Sequence, residues 1–261
     1  MTDSPLVRTV SHDRGVVEVV LDRPEAMNAV STAMAGALTT VGEELRADTS
    51  VRAVVVTSSH EKAFCVGADL KERNGFSDDD LRAQRPGNRL AYRALYDLPV
   101  PTIAAVDGHA LGGGCEIALA CDLVVAGPRA SFALPEVSVG VIPGGGGTQL
   151  LTRRIGWSRA ADLIFTARRI TGEEASRLGL ADRVVEDAKG EALALAATIA
   201  AHSPVGVRNA KAAMRTGLDV TVDEGLDLED ARWHDTAFSA DRAEGVRAFA
   251  EKRAPEWPGL G

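Results

Sequence analysis

The sequence is poor in cysteine. Its three cysteines, Cys65, Cys115 and Cys121, are odd in number and include no C-x-x-C pair. Neither a disulfide framework nor a zinc cluster is therefore indicated, and no metal site is expected. We expect the three thiols to be small residues of the core.

Long apolar runs and an excess of positive charge are also missing. No segment reaches the roughly 20 apolar residues of a membrane helix, and the first residues, with Asp3, Arg8, His12 and Asp13, lack the apolar core of a signal peptide. A formal net charge of -8 gives no general attraction for nucleic-acid phosphates. We therefore predict a cytoplasmic protein, with neither a membrane nor a nucleic acid as its partner.

What is present is a repeated alternation of strands and helices. With 261 residues, 45% of them hydrophobic, the chain can form a sizeable core, and one main domain is expected. Residues 16–21 and 51–57 are short β-branched runs that predict strands. Between them, Ser31 can cap a helix that runs to about Asp48, with apolar residues three and four apart. The three segments form one βαβ unit.

A second unit repeats this order. Residues 102–106 and 123–126 predict two further strands, and residues 113–120 predict a helix of small residues between them. The stretch 73–89, in contrast, contains glycine, proline and many polar residues, so we expect a mobile, exposed loop there. After Gly147 helical spacing predominates. The predicted helices cover residues 149–155, 158–166, 172–178, 189–202, 204–216 and, as an amphipathic tail, 222–253.

Two glycine-containing loops each follow a predicted strand. Gly112 to Gly114 open the helix at 113–120, and Gly67 lies in the segment FCVGADL. The first amides of a helix have no acceptor within it, and glycine lets a ligand approach them closely. A single loop of this kind is as well explained by a tight turn. Two of them could converge on one carbonyl oxygen and stabilise an enolate as it forms.

Two glutamates stand among apolar residues beside these loops. Glu116 falls in the first turn of the helix that follows the glycines, and Glu136 lies in the segment FALPEV, just ahead of the glycine-rich residues 143–147. By itself, Glu136 is best explained as an ion-paired or turn-capping carboxylate. Together, two carboxyl groups in apolar surroundings near an oxyanion site suit proton transfer.

Three segments make the sequence similar to the enoyl-CoA hydratase (crotonase) family. Residues 64–70, 110–122 and 135–149 resemble the family's signature segments in their order and spacing, and the likeness extends over nearly the whole chain. The resemblance implies an α/β fold, a crotonase-like spiral of repeated ββα units with a C-terminal helical subdomain. It also implies a core over residues 1–200 and trimerisation through residues 201–261, with trimers usually paired into hexamers.

The resemblance also implies the roles of individual residues. The amides of Ala68 and Gly113 form the oxyanion hole for the thioester carbonyl, and Glu116 and Glu136 hold and activate the water that adds to the conjugated double bond. No metal or redox cofactor is needed, because coenzyme A is part of the substrate. The residues expected along bound acyl-CoA are Ala26, Ala68, Asp69, Leu70, Lys71, Gly113 and Lys252.

Other motifs suggest functions that their context does not favour. Residues 144–147 are not followed by Gly-Lys-Ser/Thr, which argues against a nucleotide-triphosphate loop. His109 has no second ligand at useful spacing, so we expect a core or hydrogen-bonded histidine rather than a metal ligand. Without the resemblance, Lys252 would be interpreted as part of a solvated surface.

The sequence thus predicts an enoyl-CoA hydratase that acts on trans-2-enoyl-CoA thioesters, in fatty acid or related acyl-CoA metabolism. The nearest alternatives are an enoyl-CoA isomerase, a hydroxyacyl-CoA dehydratase and a methylglutaconyl-CoA hydratase, whose branch is resembled by residues 69–73 and 98–105. Within the family that the sequence resembles, many members with other activities keep only one of the two glutamates, so the presence of both implies a hydratase. That branch includes an RNA-binding member, but the acidic balance of the chain argues against this alternative. A non-catalytic assembly subunit is a third class.

Overall fold

Strands of two sheets form the centre of the computed structural model, which describes residues 6–259. The strands are β1 (Val7–Ser11), β2 (Val16–Leu21), β3 (Ala53–Ser58), β4 (Ala63–Cys65), β5 (Thr102–Val106), β6 (His109–Leu111), β7 (Leu123–Ala126), β8 (Ser131–Ala133), β9 (Ile170–Thr171) and β10 (Arg183–Val184). The larger sheet has the order β1-β2-β3-β5-β7-β10, and the smaller has the order β4-β6-β8-β9. Neighbouring strands are parallel except in the pairs β1–β2 and β8–β9.

Helices surround the sheets and make up most of the second half. They are α1 (Thr32–Ala47), α2 (Leu70–Arg73), α3 (Asp78–Tyr96), α4 (Gly113–Ala120), α5 (Gly147–Ile155), α6 (Trp157–Thr166), α7 (Gly172–Leu178), α8 (Ala188–Ala200), α9 (Pro204–Gly217), α10 (Val222–Ala237) and α11 (Ala240–Glu251). The predicted cap of α1 is confirmed, because Ser31 Oγ accepts a hydrogen bond from the Met34 amide at 3.2 Å. The apolar residues that predicted α1 form its buried face.

Successive strands alternate between the two sheets. β3 lies in the larger sheet, β4 in the smaller sheet, and helices α2 and α3 follow; β5, β6 and α4 repeat this order, as do β7, β8 and α5. Each repeat therefore adds one strand to each sheet and then a helix. This arrangement confirms the predicted spiral of ββα units. It also confirms the two predicted βαβ units, since β2 pairs in parallel with β3, and β5 with β7.

The predicted mobile loop at residues 73–89 is wrong. α3 begins at Asp78, where the side chains of Ser77 and Asp80 form a capping box. Pro86 lies inside the helix, where a proline ordinarily lowers helix stability by about 3 kcal/mol. The packing of α3 against α1 and α4 offsets this cost. The packed face of α3 consists of Gln84, Asn88, Ala91, Tyr92, Ala94 and Leu95.

The core has two parts, one on each face of the larger sheet. α1 and α4 pack with β2 and β3 in the larger cluster, which includes the fully buried Cys65, Cys115 and Cys121. The prediction that the three thiols are core residues is confirmed. On the opposite face, the alanines of α8 pack against Val55 and Ile103. Small side chains let this helix lie close to the sheet.

The C-terminal helices α9, α10 and α11 pack mainly on one another. An ion-pair network joins α9 to the core, because Lys211 Nζ lies 2.7 Å from Asp122 and Arg215 lies 2.6 Å from the same carboxylate. The domain boundary near residue 200 stays a prediction. Within residues 6–259, none of the helices combines the length and the apolar character that crossing a bilayer requires.

Candidate active site

Three neighbouring strands of the smaller sheet position the predicted site. β4, β6 and β8 run parallel and side by side, so their carboxyl ends meet at one edge. The chain reaches Ala68 shortly after β4, Gly113 after β6 and Glu136 after β8. Ligands of open parallel sheets bind outside the carboxyl ends of strands. The topology therefore brings together three residues that are far apart in the sequence.

The two glycine loops approach each other closely. A Cβ atom on Gly67, whose φ is +91°, would lie 2.7 Å from the Leu111 carbonyl oxygen and 3.0 Å from the Gly113 amide nitrogen. Only glycine leaves room for this contact. Within residues 6–259, the amides of Ala68 and Gly113 donate no hydrogen bond. Two amides without acceptors on adjacent loops can stabilise negative charge on a carbonyl oxygen.

Glu116 is buried in the first turn of α4, with 2% of its surface exposed. Its Oε1 accepts hydrogen bonds from the amides of Gly145 and Gly147, at 2.7 and 2.8 Å. Burial raises the pKa of Glu116, and these amides partly offset the shift because they favour the ionised form. The glycine-rich turn before α5 thus holds one oxygen of the carboxylate in place.

Glu136 begins a 3₁₀ turn, Glu136–Val139, and is half-buried. Among the residues that the structure describes, its buried Oε2 has no hydrogen-bond partner. Burial raises the pKa of Glu136 to about 7, and the nearby charge of Glu116 adds to the shift. Near neutral pH this carboxyl group therefore exists in both protonation states, which suits a proton donor or acceptor.

Both glutamates open into one cavity of about 960 Å³. Of the other predicted residues, Ala68, Leu70 and Gly113 also line it, whereas Ala26, Asp69, Lys71 and Lys252 do not. The structure thus brings together the catalytic residues that the sequence predicts and only part of the predicted acyl-CoA contacts.

The contacts of Asp69 give it a structural role, as the partner of an arginine and the cap of a helix. Its carboxylate lies 2.6 Å from Arg23 Nη1 and accepts hydrogen bonds from the amides of Lys71 and Glu72, so that it caps α2. The Arg23 guanidinium holds the pKa of Asp69 below its usual range. The backbone around Ala68 is fixed as well, because the Asp69 amide donates to Val30 O at 3.1 Å.

The other three predicted contacts lie at the surface or close to it. Ala26 ends a 3₁₀ turn, Pro24–Ala26, and Lys71 is exposed on α2. Lys252 is exposed at the C-terminal end of α11, with a φ of +54°. Their contacts with acyl-CoA stay predictions.

Sequence reasoning missed the contribution of α3 to the site. Tyr92 is buried between the glycine loops, where a Cβ on Gly113 would overlap its hydroxyl group and a Cβ on Gly145 would lie 2.6 Å from its ring. Burial and the charge of Glu116 raise the pKa of Tyr92. Asn88, one turn earlier, also lines the cavity. The capping box and the i, i+4, i+8 spacing of the buried face are the signals that could have predicted this helix.

Two further motifs have simple structural explanations. His109 Nδ1 lies 2.9 Å from Ser131 Oγ, so the prediction of a hydrogen-bonded histidine is confirmed. The glycines at 144–147 form the turn that holds Glu116. Nowhere in residues 6–259 do three His, Cys, Asp or Glu side chains form a group that could hold a metal ion.

The chain is similar to known proteins over nearly its whole length. Residues 11–259 match the family model described as enoyl-CoA hydratase/isomerase. Mitochondrial methylglutaconyl-CoA hydratase of Mus musculus is 41% identical over 253 residues, which are 95% of this chain and 81% of that protein.

Solved structures extend the likeness to the fold. The crystal structure of enoyl-CoA hydratase from Bacillus anthracis superposes with a TM-score of 0.94 at 39% identity, covering 97% of this chain and 99% of that one. For enoyl-CoA hydratase from Mycobacterium tuberculosis H37Rv the TM-score is 0.89 at 32% identity, covering 98% and 100%.

Proposed function

Because the chain belongs to the enoyl-CoA hydratase/isomerase family, whose members act on acyl-CoA thioesters, we propose that it is an enoyl-CoA hydratase. In this reaction water adds across the trans-2 double bond of an enoyl-CoA thioester. The observation that carries the proposal is the position of two carboxyl groups, Glu116 and Glu136, in one cavity with the amides of Ala68 and Gly113, which have no acceptor among the described residues.

The first step of the proposed reaction builds negative charge on the thioester oxygen. When a water oxygen attacks the β carbon, the electrons of the double bond shift and an enolate forms. The amides of Ala68 and Gly113 meet this charge where it develops, so that they stabilise the transition state more than the substrate. In other enzymes, removal of one such donor lowers turnover on the order of 100- to 1000-fold.

The surroundings of the two carboxyl groups favour different roles. Glu116 receives two amide hydrogen bonds, which stabilise its ionised form, so we assign it the base that takes a proton from the attacking water. Glu136, whose pKa is raised to about 7 and whose Oε2 has no partner in the described part of the chain, supplies the proton that the α carbon receives. Coenzyme A enters and leaves as part of the substrate and product, and the proposed steps use no metal or redox cofactor.

The proposal includes assembly into a trimer or a dimer of trimers. Many large apolar side chains remain exposed on the C-terminal helices and at their ends, and burial of such side chains between copies of the chain would favour assembly. They are Met214, Leu218, Val220, Val222, Leu226, Leu228, Trp233, Phe238, Val246 and Phe249.

The test of the activity is the loss of absorbance of the conjugated enoyl thioester when enzyme is added. Crotonyl-CoA, a longer enoyl-CoA and methylglutaconyl-CoA should be assayed in parallel, which ranks chain length and branching. We expect rapid loss with the wild type and a decrease of about 100- to 10,000-fold in Glu116→Gln and in Glu136→Gln. Glu43→Gln, an exposed position on α1 away from the cavity, is the matched control and should keep wild-type activity.

The same variants separate hydration from the neighbouring activities. An isomerase would convert a trans-3-enoyl-CoA without consuming water. A Glu136→Gln variant that kept full hydration activity would contradict the roles assigned to Glu116 and Glu136. No reaction with any enoyl thioester would overturn the proposed function.

A further inference from the structure

One wall of the cavity carries cations that the proposed hydration does not use. Five arginines line the cavity. Two of them are neutralised, since Arg93 pairs with Asp97 at 2.9 Å and Arg153 pairs with Asp219 at 3.0 Å. The other three, Arg73, Arg85 and Arg89, form no ion pair with a carboxylate of the described chain. A group of cations along one cavity wall, without carboxylate partners in the described chain, points to an anionic ligand in an acidic protein.

Within the described chain, two of these three arginines form side-chain hydrogen bonds, and both bonds are to neutral groups. Arg73 Nε donates to Gln84 Oε1 at 3.2 Å, and Arg85 Nη2 donates to the Gly144 carbonyl oxygen at 2.8 Å. Arg89 donates no side-chain hydrogen bond within residues 6–259 and is exposed at the cavity wall. Each guanidinium has five N–H donors, so all three keep donors for a ligand.

An unpartnered buried amide lies among them. Asn88 is 4% exposed and lines the cavity, and its Oδ1 has no hydrogen-bond partner in the described chain. Buried polar groups are normally hydrogen-bonded. The NH₂ group of the same amide donates no hydrogen bond within the described chain either, so it can donate to an anion in the cavity. Asn88 stands between Arg85 and Arg89 in the sequence of α3, on the same side of the cavity.

From these observations we propose that Arg85, Asn88 and Arg89 form a subsite for a carboxylate at the far end of the acyl group. The substrate class is then an enoyl-CoA with a second, free carboxyl group. This inference rests on the proposed function, because it names the substrate of the same site. Guanidinium groups and an amide donor supply the charge-assisted hydrogen bonds that a desolvated carboxylate requires.

The position of the arginines favours the acyl carboxylate over the phosphates of coenzyme A. Arg85 donates a hydrogen bond to the turn that holds Glu116, and its positive charge lowers the pKa of that carboxyl group, so Arg85 lies near the glutamates that act on the acyl chain. The predicted coenzyme A contacts Lys71 and Lys252 are outside the cavity wall. The three groups of the subsite are therefore separate from the two lysines expected to contact coenzyme A, although they share the cavity with Ala68, Leu70 and Gly113.

The test compares substrates that differ only at the far end. Glutaconyl-CoA and trans-2-pentenoyl-CoA have five acyl carbons and the same double bond, but one ends in a carboxylate and the other in a methyl group. We expect the wild type to prefer glutaconyl-CoA in kcat/KM, and Arg89→Met to lower that preference about 10- to 100-fold. Arg82→Met, an exposed position of α3 outside the cavity, is the control and should keep the wild-type ratio.

A second pair of ligands tests the subsite without turnover. Calorimetry with glutaryl-CoA and pentanoyl-CoA measures binding of the saturated analogues. We expect Arg89→Met and the nearly isosteric Asn88→Asp, which places a negative charge in the subsite, to weaken glutaryl-CoA binding selectively.

Four possible results decide whether the carboxylate subsite exists. A wild type that binds and hydrates the methyl-ended compounds better would overturn the proposal. Equal weakening of both analogues by Arg89→Met would assign the arginine to the phosphates and overturn it as well. If no enoyl thioester is hydrated, selective binding of glutaryl-CoA through Arg89 supports the subsite although the proposed function fails. If neither analogue binds, both proposals fail.

Discussion

Glu136 lies directly against Gly112: a Cβ atom on Gly112 would stand 3.0 Å from Glu136 Oε1. Gly112 has φ +51° and ψ -123°, a conformation that residues with a side chain rarely adopt. The same glycine precedes the Gly113 amide of the proposed oxyanion hole. The backbone at Gly112 therefore sets both the direction of the Gly113 amide and the space that the Glu136 carboxyl group occupies.

Substitution of this glycine should damage catalysis more than folding. Gly112→Ala forces a strained backbone, at a cost of about 1 to 3 kcal/mol in the free energy of unfolding, and displaces Glu136. We expect kcat to fall on the order of 100-fold or more, as when an oxyanion donor is lost. Steady-state kinetics and urea unfolding measure the two effects.

Gly36→Ala is the matched control for this change. Gly36 is exposed on α1 and has open space around it, so alanine should stabilise the protein by about 0.5 to 1 kcal/mol and leave kcat unchanged. Full activity in Gly112→Ala would contradict the link between the glycine and the two catalytic groups.

The raised pKa of Glu136 predicts a pH-dependent stability. The folded chain holds this proton up to about pH 7, whereas the ordinary value is 4.5. The group therefore favours folding below about pH 4.5, and its contribution is lost as pH rises through 7. The loss is at most about 3 kcal/mol, reduced by partial exposure; Glu116, whose pKa is also raised, acts in the same direction.

Urea unfolding at several pH values measures this contribution. Between pH 4.5 and 8, the free energy of unfolding of Glu136→Gln should fall less than that of the wild type. A parallel fall in both proteins would show that Glu136 titrates normally in the folded chain.

The parts of the site that depend on local sequence were predictable. A run of glycines before an apolar helix marks unpaired amides, and a glutamate in such a helix stands out, so Gly113 and Glu116 were found without a structure. The proximity of Glu136 depends on β8 lying beside β6. These strands have three residues each, too few to show a period, so the topology that joins the two glutamates came from the family resemblance alone.

The error at α3 has a different cause. A helix is predicted from apolar residues on its buried face, but this face borders a polar cavity and carries Gln84 and Asn88 in place of larger apolar residues. Pro86 and Gly87 lie on the exposed side, where they disturb packing least. A helix that lines a polar binding cavity therefore resembles a loop in its composition.

Asp69 provides a test of the support behind the oxyanion loop. Asp69→Ala removes both the ion pair with Arg23 and the cap of α2, and we expect it to lower the free energy of unfolding by about 3 kcal/mol. It should also lower kcat, because Ala68 is the adjacent residue. Asp69→Asn keeps a capping oxygen and should lose less of both. Equal effects of the two substitutions, measured by urea unfolding and kinetics, would contradict a role for the cap.

The exposed aromatic residues of the C-terminal helices make a prediction about assembly. Phe249 on α11 is 86% exposed and Trp233 on α10 is 64% exposed, and burial of apolar surface contributes about 25 cal/mol per Å². Light scattering coupled to size exclusion should give a mass of about 82 kDa for three chains of 27.4 kDa each, or twice that value. Phe249→Glu should shift the protein towards the monomer, because a charge cannot be buried in an apolar contact without a partner. Thr40→Glu adds the same charge at an exposed position of α1 and should leave the mass unchanged; a monomeric wild type would refute the predicted assembly.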